Sequence, residues 1–292
     1  MVYEKSIFYY VHTGHRFGLE RFRRAIAIIN ELKGEYNITL LTSDYRIASS
    51  SREYGVEKAI GLDVLRNIPN VAEHGDILIY DSTEHNDQQI VDMVDFFSTF
   101  IRISDNPNDK PIDGEYMINP HLSDSDRVCG LLPIESKFFG DFEKSIERLI
   151  FFGDADYDKD LLSYSDELSK LNSELLLGFY YFLGYEDELS PFYSKFYENE
   201  EYDEVIEKTE YLITSSHQSA LSSLATGGKP IYIERLDVDS DMNSVLESYG
   251  IPVLKEFDSE KIEEAISNGE WKKISNPMSS IKEFLRPLLK TK

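Results

Sequence analysis

Short apolar runs alternate with amphipathic stretches along most of the chain. Ser6 to Val11 reads as a strand, and Glu20 to Lys33 as a helix. Tyr36 to Thr42 is β-branched and apolar, hence a second strand. Asp76-Ile77-Leu78-Ile79-Tyr80 is a buried strand introduced by His74-Gly75. Asn86 to Phe97 has helical spacing, which puts Ile90, Val91, Val94 and Phe97 on one face. Phe100 to Ile103 and Tyr116 to Ile118 complete a βαβ series, and so predict a parallel sheet covered on both faces.

The pattern restarts after Gly140. Strands are expected at Arg148 to Phe152, Leu175 to Leu183, Tyr211 to Thr214, Pro230 to Ile233 and from Ile251. Helices are expected at Tyr157 to Leu171, Asp203 to Glu210, Ser216 to Ala225, Met242 to Tyr249 and Met278 to Leu289. Gly227-Gly228 reads as the end of the helix before it. The acidic, aromatic stretch Tyr185 to Glu204 reads as a surface excursion. The fold class is α/β, with two Rossmann-like domains, 1–143 and 144–292. The last helix is expected to pack back on the first.

Composition narrows the function. The chain has 292 residues, 41% hydrophobic and 13% aromatic, enough for packed cores rather than disorder. Its formal charge of −24 disfavours nucleic-acid backbones and anionic membrane surfaces. An anionic ligand then needs a local positive pocket, from backbone N–H groups, helix ends or nearby Lys and Arg. No apolar run approaches the about 20 residues of a membrane helix. The start Met1-Val2-Tyr3-Glu4-Lys5 carries no secretion signal pattern, and the single Cys129 suits a reducing cytoplasm.

The candidate chemistry gathers after strands. Thr13-Gly14-His15 follows the first strand and precedes a helix, the α/β position where ligands bind. His15 can move a proton near neutral pH, or merely cap the turn or bind phosphate. Asp81 ends a buried strand, where it can orient His15 or a ligand hydroxyl, or cap the helix that follows. Ser215, Ser216, His217, Gln218 and Ser219 stand between a strand and a helix start. Their amides and hydroxyls suit a pyrophosphate, or simple capping. Asp154, Asp156, Asp158 and Asp160 alternate like a calcium loop, as do Asp237, Asp239 and Asp241. Neither run has the required Gly and Glu, so no metal and no cofactor are expected.

Taken together, Gly14-His15, Arg24, Glu31-Leu32, the strand ending in Asp81, Ile101 to Asp105, Met117-Ile118-Asn119, Leu149 to Gly153, Ser215 to Ser219 and Gly228 to Ile231 resemble the GT-B architecture. More narrowly, their order resembles the UDP-sugar hydrolases of pseudaminic acid and spore-coat polysaccharide biosynthesis. The resemblance implies an interdomain cleft and a nucleotide-sugar ligand, UDP-sugar favoured. In it His15 is the base on the water that displaces UDP from an amino or deoxy sugar. Thr13, Gly14, Arg24 and Asn119 would bind the sugar. Gly153, Ser215 to Ser219, Ser223 and Asn243 would bind the nucleotide. The chain departs from the family pattern with His12 where the turn begins, extra residues before Arg24, Asp154 after Gly153, and Ser223 in place of a ribose-binding Glu. Two alternatives accompany the hydrolase: a GT-B glycosyltransferase, with a hydroxyl in place of water, and a nucleotide-sugar binding protein without chemistry. Neither nucleic acid nor an integral membrane is expected as a partner, and the oligomeric state is open.

Overall fold

A computed structural model describes residues 5–237 and 241–290. They divide into two compact units. The first takes the chain up to Thr13, Arg21–Ser136, and the chain from Pro277 on; the second takes Gly14–Glu20 and Lys137–Asn276.

The first unit carries strands β1 (Ile7–Val11), β2 (Ile38–Thr42), β3 (Lys58–Gly61), β4 (Ile77–Asp81), β5 (Thr99–Ile103), β6 (Glu115–Ile118) and β7 (Val128–Cys129). Among the described residues they form one parallel seven-stranded sheet, in the order β3-β2-β1-β4-β5-β6-β7. The register sets Val11 opposite Thr42 on one side and Asp81 on the other. Every residue of β1 and β4 is buried, as expected of central parallel strands with both faces covered. Helices α1 (Glu20–Leu32), α2 (Tyr45–Ser50) and α3 (Asp87–Phe96) connect the strands. Asn86 and Gln89 close a reciprocal capping box at the start of α3. Val91, expected on the buried face of α3, is 40% exposed; Ile90 and Met93 carry that face instead, three residues apart.

The second unit carries β8 (Ile146–Phe151), β9 (Glu174–Leu176), β10 (Phe196–Tyr197), β11 (Thr209–Thr214), β12 (Lys229–Ile233) and β13 (Val253–Leu254). These make a parallel six-stranded sheet among the described residues, ordered β10-β9-β8-β11-β12-β13. Helices α4 (Asp160–Leu168), α5 (Tyr185–Leu189), α6 (Tyr202–Lys208), α7 (His217–Ala225), α8 (Asn243–Ser248) and α9 (Ser259–Asn268) connect or follow them. Helix α10 (Met278–Leu285) belongs to the first unit. There Lys282 donates to the Glu31 carbonyl at 2.9 Å, and Arg286 to the Glu35 carboxylate at 2.7 and 3.0 Å.

The long strand expected over Leu175 to Leu183 is only β9. A side chain at Gly178 would come within 2.4 Å of the Gly153 carbonyl, so the chain is drawn against the β8 loop and leaves the sheet. The aromatic residues that follow turn instead of extending. Helix α9 was not anticipated; Asp258 caps it, accepting from the amides of Glu260 and Lys261.

Each sheet reverses its strand order once, between β1 and β4 and between β8 and β11. Ligands of open α/β sheets bind beyond the carboxyl ends of the strands at such points.

Gly227 and Gly228 close α7. Gly227 has φ +79°, and a side-chain carbon on Gly228 would meet the Ser223 hydroxyl at 2.5 Å and two carbonyls at 2.9 and 3.1 Å. Gly228→Ala is therefore expected to destabilise the protein by about 1–3 kcal/mol, the cost of overpacking. Urea unfolding measures it.

Candidate active site

At the first reversal, Asp81 ends β4 with no exposed surface. Arg24, on α1, donates to both of its oxygens, Nε at 3.1 Å and Nη2 at 2.8 Å. The Tyr9 hydroxyl adds a bond at 3.3 Å, and Arg21 stands 3.7 Å away. A second carboxylate, Asp105, pairs with Arg24 Nη1. Burial pushes the Asp81 carboxyl up and the facing Arg24 and Arg21 oppose that shift. Arg24 is 1% exposed, so both it and Asp81 would have to leave this network to touch a ligand directly. Thr13 and Asn119 are also buried and occupied. The Thr13 hydroxyl meets that of Thr42 at 3.1 Å, and the Asn119 side chain ties the Asn106 carbonyl to the His121 amide, both at 2.9 Å.

Above Asp81 stands a pair that the sequence reading did not assign. His12 directly follows β1, and its Nδ1 lies 3.6 Å from Glu84 Oε2. The Tyr10 hydroxyl donates to the same oxygen at 2.5 Å, and the Glu84 amide donates to Ser82 at 3.0 Å. The His12 amide is fixed to the Asp81 carbonyl at 3.2 Å. Burial lowers the His12 pKa; Arg21 adds to that, and Glu84 opposes it. Burial thus disfavours the charged imidazole, and one of its nitrogens faces a carboxylate. That is the arrangement of an oriented general base. Its signal in the sequence was the second histidine of the same turn.

At the second reversal, Ser216 caps α7, its hydroxyl accepting from the Ser219 amide at 3.0 Å. The Ser219 hydroxyl takes bonds from Ser216 and Tyr202, at 2.6 and 2.7 Å. Ser215, 6% exposed, has a hydroxyl without a hydrogen-bond partner among the described residues. His217 and Gln218 are buried in the first turn. Ser223 lies near the other end of α7, under Gly228. Gly153 follows β8 at φ +129°, and Asn243 opens α8 with its side chain on Glu234.

Gly14 belongs to this unit with the turn it starts. The amides of Phe17 and Gly18 both donate to its carbonyl, at 3.0 and 2.9 Å. The turn leaves His15 exposed, its ring 5.0 Å from that of Tyr180 and 6.2 Å from that of Phe182. Tyr157 continues the aromatic group at 5.7 Å from Phe182, with Arg16 over it at 4.2 Å.

Of the alternating aspartates, Asp156 serves the fold. Asp156 accepts from the amides of Asp160 and Leu161 and from the Tyr185 hydroxyl, at 2.8, 3.2 and 2.6 Å. Asp237 pairs with Arg235, while Asp239 lies outside the described residues. Among the described residues, no group of three His, Cys, Asp or Glu side chains is arranged to hold a metal ion.

Solved structures match this fold over nearly the whole chain. The chain is similar to a glycosyltransferase of kitacinnamycin, at 13% identity and TM-score 0.57, over 99% of this chain and 96% of that one. It is similar to the glycosyltransferase SnogD from Streptomyces nogalater at 11% and 0.56, over 99% and 96%. It is also similar to the UDP-GlcNAc 2-epimerase of Methanocaldococcus jannaschii, solved with UDP-GlcNAc and UDP, at 10% and 0.55, over 96% and 100%. The chain has the GT-B fold. No protein-family model matches this GT-B chain, and no curated protein does. Among the described residues, no helix is long and apolar enough to cross a membrane.

Removing Asp81 from the GT-B core tests its buried pairing. Asp81→Ala strands a buried guanidinium and is expected to cost about 3–5 kcal/mol. Asp158→Ala, at an exposed pair with Arg16, is expected to stay within about 0.5 kcal/mol. Denaturant midpoints of the two variants separate them.

Proposed function

We propose that this protein transfers a glycosyl group from a nucleotide-sugar donor to a hydroxyl acceptor. The observation that carries the reading is His12 beside Glu84 at the first sheet's reversal. His12 Nε2 accepts the acceptor's hydroxyl proton as its oxygen attacks the anomeric carbon. The bond from that carbon to the diphosphate breaks, and the diphosphate leaves with the electron pair. Within the second unit, the α7 N-terminus, with its amides, the Ser215 hydroxyl and the helix dipole, suits a diphosphate. Asp81 and Arg24 act as positioning residues: they fix the end of β4, from which the His12 amide and Glu84 hang.

The similar structures named as glycosyltransferases support a hydroxyl acceptor, and the epimerase solved with UDP supports a uridine nucleotide. Water is the second acceptor. The Gly14-His15 turn favours it, through its resemblance to the UDP-sugar hydrolases of amino and deoxy sugars. In that reading His15 takes the base role. Buried Cys129, its thiol pushed up to about 11 by burial, suits a reducing cytoplasm.

The test is release of nucleoside diphosphate from UDP-sugars, with and without a hydroxyl acceptor. His12→Ala is expected to slow turnover by about 10²–10⁴-fold while donor binding persists. Release that needs no acceptor moves the function to hydrolysis. A rate lost with His15→Ala and kept with His12→Ala moves the base to His15.

The pH profile gives an independent check. Burial lowers the His12 pKa, so the acid limb of the rate belongs below the ordinary histidine value of about 6.5. The folded state binds this proton less readily than the unfolded chain. Stability therefore falls as pH drops from about 6.5 toward the lowered value, and His12→Gln is expected to remove that part of the loss.

A further inference from the structure

The anion seat at the start of α7 already holds an anion. Glu20 Oε2 accepts from the Gln218 amide at 2.9 Å and lies 3.3 Å from His217 Nε2. The next amide, that of Ser219, is spent on the Ser216 hydroxyl. A phosphate oxygen approaching this first turn meets a carboxylate where the open N–H would be. The seat is enclosed: the side chains of Glu20 and His217 are 20% and 11% exposed. In the same loop, just before the Ser216 cap, the buried Ser215 hydroxyl has no hydrogen-bond partner among the described residues.

The chain delivers Glu20 deliberately. The Gly14 carbonyl gathers the amides of Phe17 and Gly18, Gly18 takes φ +64°, and Leu19 is fully buried. This short turn fixes the residue that follows it.

We propose that Glu20 is a resident occupant of the diphosphate seat, which the donor must displace before it binds. The inference rests on the nucleotide-sugar reading above. A carboxylate and a diphosphate sharing one amide would stand a few ångströms apart, a repulsion that enclosure strengthens. Donor affinity is thus the difference between two anions competing for the same N–H and imidazole. Such a contact keeps the empty seat from capturing free phosphate and orthophosphate-like anions, and it admits a ligand with further contacts to offset the exchange.

The test is calorimetric binding of UDP, UDP-GlcNAc and inorganic pyrophosphate to the full-length wild type, Glu20→Ala and Glu20→Gln. Emptying the seat is expected to tighten pyrophosphate and UDP by about tenfold or more in Glu20→Ala, the equivalent of one charge-assisted hydrogen bond. Glu20→Gln, which keeps the shape without the charge, is expected to lie between and serves if the alanine variant folds poorly. In hydrogen exchange, the Gln218 amide is expected to lose protection in Glu20→Ala and regain it with pyrophosphate. If the wild type binds and Glu20→Ala binds no tighter, the occupant role is overturned while the nucleotide reading stands. If only Glu20→Ala binds, the occupant role stands, and the wild-type chain is blocked rather than a transferase. If none of the three proteins binds any probe, both readings fall.

Discussion

A parallel sheet covered on both faces leaves one place for polar chemistry: the carboxyl ends of its strands. The candidate groups at the two sheet reversals obey that constraint, whereas Ser223 lies at the opposite edge, under Gly228. His12, Glu84 and Asp81 follow β1 and β4, and Gly153, Ser215 and Ser216 follow β8 and β11. The strand interiors cannot contribute, because β1, β4 and most of β8 and β11 are buried among apolar neighbours. What reaches the edge is therefore set by the last residue of each strand and the few that follow it.

The two edges solve different electrostatic problems. In the first unit a guanidinium is buried between two carboxylates, Asp81 and Asp105, and balances them at short range. A buried charge of this kind is tolerated because every partner is present, and removal of one leaves the others uncompensated. In the second unit, backbone amides converge at the start of α7, and Arg235 packs against the loop after β8, donating to the Ala155 carbonyl at 2.7 Å. With a net charge of −24, a chain can still receive an anion where N–H groups converge and side-chain carboxylates are kept out. Glu20 is the exception that reaches in.

The framework was legible in the sequence because apolar runs bounded by Gly, Asn and Asp leave few readings other than buried strands. Asp76 to Tyr80 and Pro230 to Ile233 are legible in this way, and the resulting pair of Rossmann-like sheets is what the structure contains. Leu175 to Leu183 was misread because hydrophobicity does not report backbone approach: Gly178 has to fit under the Gly153 carbonyl. The site was legible in position more than in role. Ser216 reads as a cap or a ligand from its neighbours alone. That Arg24 is spent on Asp81, 57 residues away, or that Glu20 reaches Gln218, 198 residues away, is not written in any local pattern. His12 and His15 are neighbours in one turn, and only their partners distinguish them: a carboxylate for one, aromatic rings for the other.

The central claim is that a nucleotide sugar is this protein's ligand, held through the α7 N-terminus. A thermal-shift series over UDP-, GDP-, CMP- and dTDP-sugars tests it most directly, because a ligand of the native state raises the melting temperature with concentration. The account predicts a rise with one of these nucleotides, UDP-sugars first, that Ser216→Asp abolishes by placing a carboxylate at the helix start. A flat response to all four, or a rise that Ser216→Asp leaves intact, would contradict it.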